Sequence, residues 1–273
     1  MKRLVIVVIA IGRVASADEL SPPYDPCRDS ILDPVATPVR NVAIDAQRGA
    51  CLRDEIGTGL LASALIDTPG FHGVLAGELR LGGRTRIGRA FELGFGVRVL
   101  RYSFVQNAVN KVTKVATGPI TLTAARAGQL GDGARVALVG TIEVPGTRYD
   151  QETTHVSGEL TGVVSAAMTE HVVLHARLGA LAATASSAGG RTHRFALRAG
   201  ADLSRALGRR LAVAGGADME AGWYGGLDHV NLRVSLHLRF TGLWRGQIGM
   251  GIPVGGEERT NAILHLGVLR DLW

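Results

Sequence analysis

Residues 231–240 alternate without interruption. Leu232, Val234, Leu236, Leu238 and Phe240 occupy one phase; Asn231, Arg233, Ser235, His237 and Arg239 occupy the other. On a β-strand successive side chains point to opposite faces, so this segment has one apolar face and one face polar or charged at every second position. An ordinary core cannot take the polar face, yet the apolar face is as continuous as a lipid-facing stripe. A closed antiparallel sheet reconciles the two by turning apolar side chains out into hydrocarbon and polar ones into a crowded interior. The pattern recurs along most of the chain, so the predicted fold class is all-β, a closed transmembrane barrel.

The alternation divides into segments at 55–66, 72–82, 89–103, 118–127, 133–145, 154–167, 171–184, 192–205, 210–224, 228–240, 245–254 and 261–273, twelve in all. A tilted transmembrane strand needs roughly 9–11 residues, whereas strands of ordinary globular sheets run to about 5–6. Segment length therefore argues against the alternative of a soluble, glycine-rich β-protein. An even count returns the chain to its starting side, so both termini are expected in the periplasm. Longer connections at 107–116, 145–153, 185–192 and 255–260 are expected outside, and compact turns at 168–170, 207–209 and 241–244 inside. The same outward phase runs through Leu93, Phe95, Val97 and Val99, and through Ile248, Met250, Ile252 and Val254.

The start of the chain specifies a compartment. Lys2 and Arg3 precede an apolar run from Leu4 to Gly12, and Ala15, Ser16 and Ala17 form a small-x-small cleavage pattern, so residues 1–17 are read as a signal peptide. That run is too short to cross a bilayer as a helix. The net charge of +6 contains Lys2, Arg3 and Arg13, and falls by those three to +3 on cleavage. The remaining arginines are spread at strand spacing with no basic helix or stacking platform, which excludes a nucleic-acid partner. Residues 18–54, interrupted by Pro22, Pro23, Pro26, Pro34 and Pro38, read as a periplasmic arm or partial plug ahead of a barrel over 55–273. Cys27 and Cys51 both fall in that arm, and export makes a disulfide between them the expected state, with free thiols the alternative.

With its export segment, long alternating strands and terminal aromatic Trp273, the chain resembles the broad class of bacterial outer-membrane β-barrel proteins over residues 55–273. The resemblance implies a location in the outer membrane, contact with its lipid, and recognition of Trp273 by the barrel assembly machinery. The last strand departs from the pattern. Leu264, Leu266, Val268, Arg270 and Leu272 form its more apolar phase, and Trp273 stands in the other, so a bulge or shift is expected there. Trp223, Tyr224 and Trp244 are candidate interfacial anchors, too few for complete aromatic girdles.

The inward phase collects Glu78, Arg80, Glu92, Arg98, Arg135, Glu143, Glu159, His175, Arg177, Arg194, Arg198, Asp202, Asp218, Glu220, Arg233, His237 and Arg239. A charge facing hydrocarbon near mid-membrane costs about 2–4 kcal/mol, which places these side chains inside. Candidate lumen-lining or solute-binding residues are Arg98, Arg177, Arg194, Arg198, Asp218, Glu220, Arg233, His237 and Arg239. Two readings follow from the same electrostatics: a narrow monomeric channel for small polar or anionic solutes, or a structural barrel whose lumen is filled by salt bridges. A third reading is a membrane lipid hydrolase built on Ser235 and His237 with Asp218 and Glu220 on the preceding strand. Two residues along a strand are ~6–7 Å apart, which is expected to keep Ser235 and His237 from direct contact. The histidines show no metal-ligand spacing, since His171 and His175 would lie ~13 Å apart on a strand, and no cofactor is called for.

Overall fold

A computed structural model describes residues 24–32, 49–67, 72–106, 111–145, 154–187, 190–222, 226–255 and 262–272. Thirteen strands make one sheet: β1 (Glu55–Asp67), β2 (His72–Ile87), β3 (Phe91–Gln106), β4 (Lys111–Ala116), β5 (Ile120–Gln129), β6 (Ala134–Val144), β7 (Thr154–Thr169), β8 (Val172–Ser187), β9 (Gly190–Ala206), β10 (Leu211–Gly222), β11 (Gly226–Arg239), β12 (Trp244–Gly255) and β13 (Ala262–Asp271). Every pairing is antiparallel between neighbours, and β1 pairs with both β2 and β13, which closes the barrel.

β4 and β5 both pair with β3, over Arg101–Gln106 and Phe91–Val97 respectively. They are two halves of one stave interrupted at residues 117–119, so the barrel has twelve staves. Pro119 has no N–H to give a ladder, and Gly118 instead donates its N–H to the Arg98 carbonyl at 2.8 Å. The expected outside connection at 107–116 is thus partly strand. The expected loop at 185–192 is also largely strand, because β8 and β9 stay paired up to Ser187 and Gly190.

The predicted phase holds over most of the sheet, and in β3 it shifts by one residue at Val99. Leu93, Phe95, Leu138, Ile142, Leu160, Leu178, Leu232, Ile248 and Met250 are exposed on the outer face, while Glu92, His175, Arg177, Asp202, Asp218, Glu220 and Arg233 are buried inside. Among the described residues the expected shift in the last strand is absent. β13 pairs with β1 in unbroken register from Ala262 to Asp271, with Leu264 and Leu266 outward and His265, Leu269 and Asp271 inward. Arg270, the misfit of the apolar phase, lies 5.7 Å from the Trp244 ring centroid near the end of its strand. A guanidinium stacked on an interfacial aromatic ring is tolerated where one at mid-membrane is not. Trp273, Trp223, Tyr224 and residues 1–17 lie outside the described residues.

The turns at 88–90, 130–133, 170–171, 207–210 and 240–243 gather at one end, where the chain also enters at Glu55 and leaves at Asp271. Gly88 (φ 67°) and Gly133 (φ 80°) supply the left-handed backbone that two of these tight turns require.

Candidate functional site

The barrel interior is organised by register. β9, β10 and β11 place Arg198 opposite Glu220, Gly216 opposite Asp202 and Arg233, and Asp218 opposite Asn231. Asp202 accepts from Arg233 NH2 at 2.9 and 3.1 Å and pairs with Arg177 NH1 at 2.7 Å, while Arg233 Nε lies 3.1 Å from Asp218. Asn231 donates to the other oxygen of Asp218 at 3.2 Å. Glycines make room for this network: a Cβ at Gly216 would lie 2.2 Å from Asp202 Oδ1, and one at Gly200 would lie 2.9 Å from the Arg177 guanidinium. The inward glycines and the long charged side chains of this wall are therefore one packing solution.

Nearer the other end of the same wall, Arg198 bridges Glu220 at 2.5 Å and Glu159 at 2.7 Å, and Arg194 bridges Glu220 at 2.8 Å and Asp228 at 2.9 Å. On β2 and β3, Glu78 is bonded to Arg80 and lies 3.2 Å from Arg98 Nε and 3.6 Å from Arg101 Nε. Across the closing seam, Glu55 accepts from Arg84 of β2 at 2.6 Å and from Arg245 of β12 at 2.5 Å, and Arg245 also reaches Asp271 at 2.8 Å.

Residues 24–32 and 49–54 lie against the inward side chains at the short-turn end. The 3-10 turn Ser30–Leu32 packs Ile31 and Leu32 on Val173 and Ala212, and Ala50 packs with Ala125, Ala137, Val139 and Val163. The disulfide Cys27–Cys51 ties the two pieces together. Ser165 and His175, direct partners on β7 and β8, hold both: His175 Nδ1 is 2.8 Å from Ser165 Oγ, His175 Nε2 is 3.0 Å from the Leu32 carbonyl, and Ala50 N–H donates to Ser165 Oγ at 2.8 Å. A neutral imidazole with its proton on Nε2 satisfies all three bonds. Arg239 pairs with Asp29, and Arg135 with Asp25 at 3.1 Å.

Burial pushes the Asp25 carboxyl up, but the Cys27 N–H and the Arg135 guanidinium outweigh it and leave the group below its ordinary value. A carboxylate with a lowered folded pKa contributes stability above its unfolded value of about 3.9 and loses it as pH falls through the folded value. Acidification below about pH 3.9 is therefore expected to loosen residues 24–32 before the strands, read as faster hydrogen exchange of Cys27 and Arg28. Unchanged exchange there while Asp25 titrates would contradict this.

All nine candidate lumen residues face inward. Arg194, Arg198, Arg233 and Arg239 each sit in an ion pair, of the kind the salt-bridged reading of the lumen anticipated, although strand spacing did not say which acid each would meet. His237 differs from expectation in one respect: its Nε2 lies 2.9 Å from Ser235 Oγ. The Cα separation is that of a strand, but an imidazole is long enough to reach back over it. This pair is nevertheless buried inside the barrel, on the face opposite the lipid. Asp218 and Glu220 are engaged by arginines, which argues against lipid hydrolysis. Arg101, Glu55, Arg84, Arg245, Asp228 and Ser165 join the interior without having been singled out by the sequence. For Arg101 the signal was present as the adjacent apolar pair Val99–Leu100, which breaks strict alternation.

No protein-family model matches the sequence, and no curated protein matches it. Among solved structures, the chain is similar to the COG4313 outer membrane channel from Pseudomonas putida F1, at 16% identity and a TM-score of 0.62 over 80% of this chain and 95% of that one. It is also similar to the translocator domain of the autotransporter NalP from Neisseria meningitidis (14%, TM-score 0.54, 80% and 87% covered) and to the NanC porin (10%, TM-score 0.55, 80% and 100% covered). Identities this low carry the fold and nothing finer. With a closed sheet and an apolar outer face, the protein is a twelve-stave antiparallel β-barrel whose fold resembles that of outer-membrane channels, porins and autotransporter translocator domains.

Proposed function

We propose that the protein is a porin-like barrel held shut, with a lumen filled by cross-strand ion pairs and a short-turn end stoppered by the pre-barrel segment. The observation that carries this reading is the interlocked set of Arg177, Arg194, Arg198 and Arg233 with Glu159, Asp202, Asp218, Glu220 and Asp228, side chains that would otherwise line a conduit. Packed guanidinium–carboxylate pairs occupy the volume a solute needs and present it with little net charge. The short-turn end, periplasmic in barrels of this class, is where the disulfide-tied segment docks.

A second reading, a narrow conduit for small anions that works once the stopper moves, is favoured by the three arginines that share Glu78. Planar-bilayer conductance of the refolded full chain tests both. The expected result is near silence for the oxidised protein, and small channels after reduction or in Cys27→Ser/Cys51→Ser, where the two docked pieces are no longer tied. Stable open channels in the oxidised protein, unchanged by reduction, would overturn the shut-barrel reading. Silence in every form would overturn the conduit.

A further inference from the structure

β2 and β3 pair regularly from Ile87 and Phe91 up to Arg80 and Arg98, where the register slips by one residue. Above the slip Leu79 faces Leu100 and Glu78 faces Arg101, and Val99 is the extra residue. Strict alternation from Arg98 would have turned Leu100 and Tyr102 into the lumen and Arg101 into hydrocarbon. The bulge returns Leu100 and Tyr102 to the outer face and brings Arg101 inside, beside Arg98. The facing stave is interrupted at the same level, and Gly118 there lies so close that an added Cβ would sit 2.4 Å from the Arg98 side chain.

Three guanidiniums consequently share one carboxylate, Glu78, with Glu143 on β6 acting on Arg98 from farther away. Elsewhere inside, among the described residues, the signs balance or favour acids: Arg177 and Arg233 meet Asp202 and Asp218, and Arg194 and Arg198 meet Glu159, Glu220 and Asp228. Nε of Arg98 and of Arg101 is buried and makes no hydrogen bond beyond its ion-pair contact with Glu78, a state shared by guanidinium nitrogens of Arg177 and Arg233, so excess charge and exposure are what set this pair apart. The Arg101 side chain is 41% exposed, against 4% for Arg177 and Arg233.

We infer that Arg98 and Arg101, backed by the Arg80–Glu78 pair, form a binding site for a small oxyanion of the carboxylate or sulfate type. The guanidinium fork matches two oxygens of such a group, and neighbouring forks add charge-assisted bonds that a halide cannot make equally well. Glu78 orients the forks and lowers their mutual repulsion, leaving the remaining positive charge for the ligand. The inference deepens the conduit reading, since it places the anion preference at β2–β3 rather than on the paired arginines of β9 and β11.

Calorimetric titration of sodium sulfate and of sodium acetate into the refolded full chain, in a constant chloride background, tests the site directly. Saturable binding is expected, weakened at least tenfold in Arg98→Gln and in Arg101→Gln, less in Arg101→Lys, and unchanged in the exposed turn variant Arg209→Gln. Undiminished binding in the Arg98→Gln/Arg101→Gln double variant, or no saturable binding by the parent protein, would overturn the site. Conductance measured on the same preparations separates the two ideas: binding without channels supports the site and removes the conduit, and channels without binding do the reverse.

Discussion

Asp202→Asn is expected to destabilise the barrel by about 3–5 kcal/mol, the range for breaking a buried ion pair from one side. Among the described residues, Asp202 is the carboxylate paired with Arg177, whose side chain is 4% exposed, and it also holds Arg233. Asparagine keeps the shape but leaves a buried guanidinium without its counter-charge, and the lumen at that level is too packed to rehydrate it freely. Arg233 retains Asp218 at 3.1 Å, so the loss falls mainly on Arg177. The double variant Asp202→Asn/Arg177→Met should recover most of the loss, because removing both charges leaves nothing buried and unpaired. Urea midpoints from heat-modifiable gel migration measure both. A double variant as unstable as the single one would show that the network acts through packing rather than charge.

Glu55→Gln is expected to cost about 3 kcal/mol, the lower end of the same range, and to act on closure rather than on one wall. Glu55 is 1% exposed and accepts from Arg84 and Arg245, which stand on strands flanking the β1–β13 seam. Arg245 keeps Asp271, and Arg84 has Glu92 at 3.9 Å, which limits the effect. The seam joins the first and last strands of the sheet, so its pairing closes the longest loop in the chain and carries the largest loop-closure cost. Refolding yield into detergent should therefore fall along with the urea midpoint. A loss confined to the midpoint, with normal yield, would separate stability from closure.

Much of this molecule is local. Val234 and Arg233 must lie on opposite faces because consecutive Cβ atoms do so on any strand, and hydrocarbon on one side then settles which face is which. The inward set around Arg177, Asp202, Asp218 and Arg233 was legible for that reason, as were the twelve staves and the pairing of Cys27 with Cys51. The Ser235–His237 bond was not, because side-chain reach is not contained in strand spacing.

The irregularities also escaped the period-two reading. The slip at Val99 reverses every later position of β3, and its only trace in the sequence is two adjacent apolar residues before Arg101. The last strand gave the opposite result: Arg270 suggested a shift, yet β13 is regular and the Trp244 ring accommodates the charge. Alternation, and with it the barrel and the sign of each face, was determined by the sequence itself, since it depends on nearest neighbours along one chain. Which arginine meets which acid, where charge is left over, and that residues 24–32 and 49–54 dock on Ser165 and His175 were decided by the tertiary structure. Those contacts depend on the relative register of strands far apart in the chain, and a one-residue slip on either partner exchanges them.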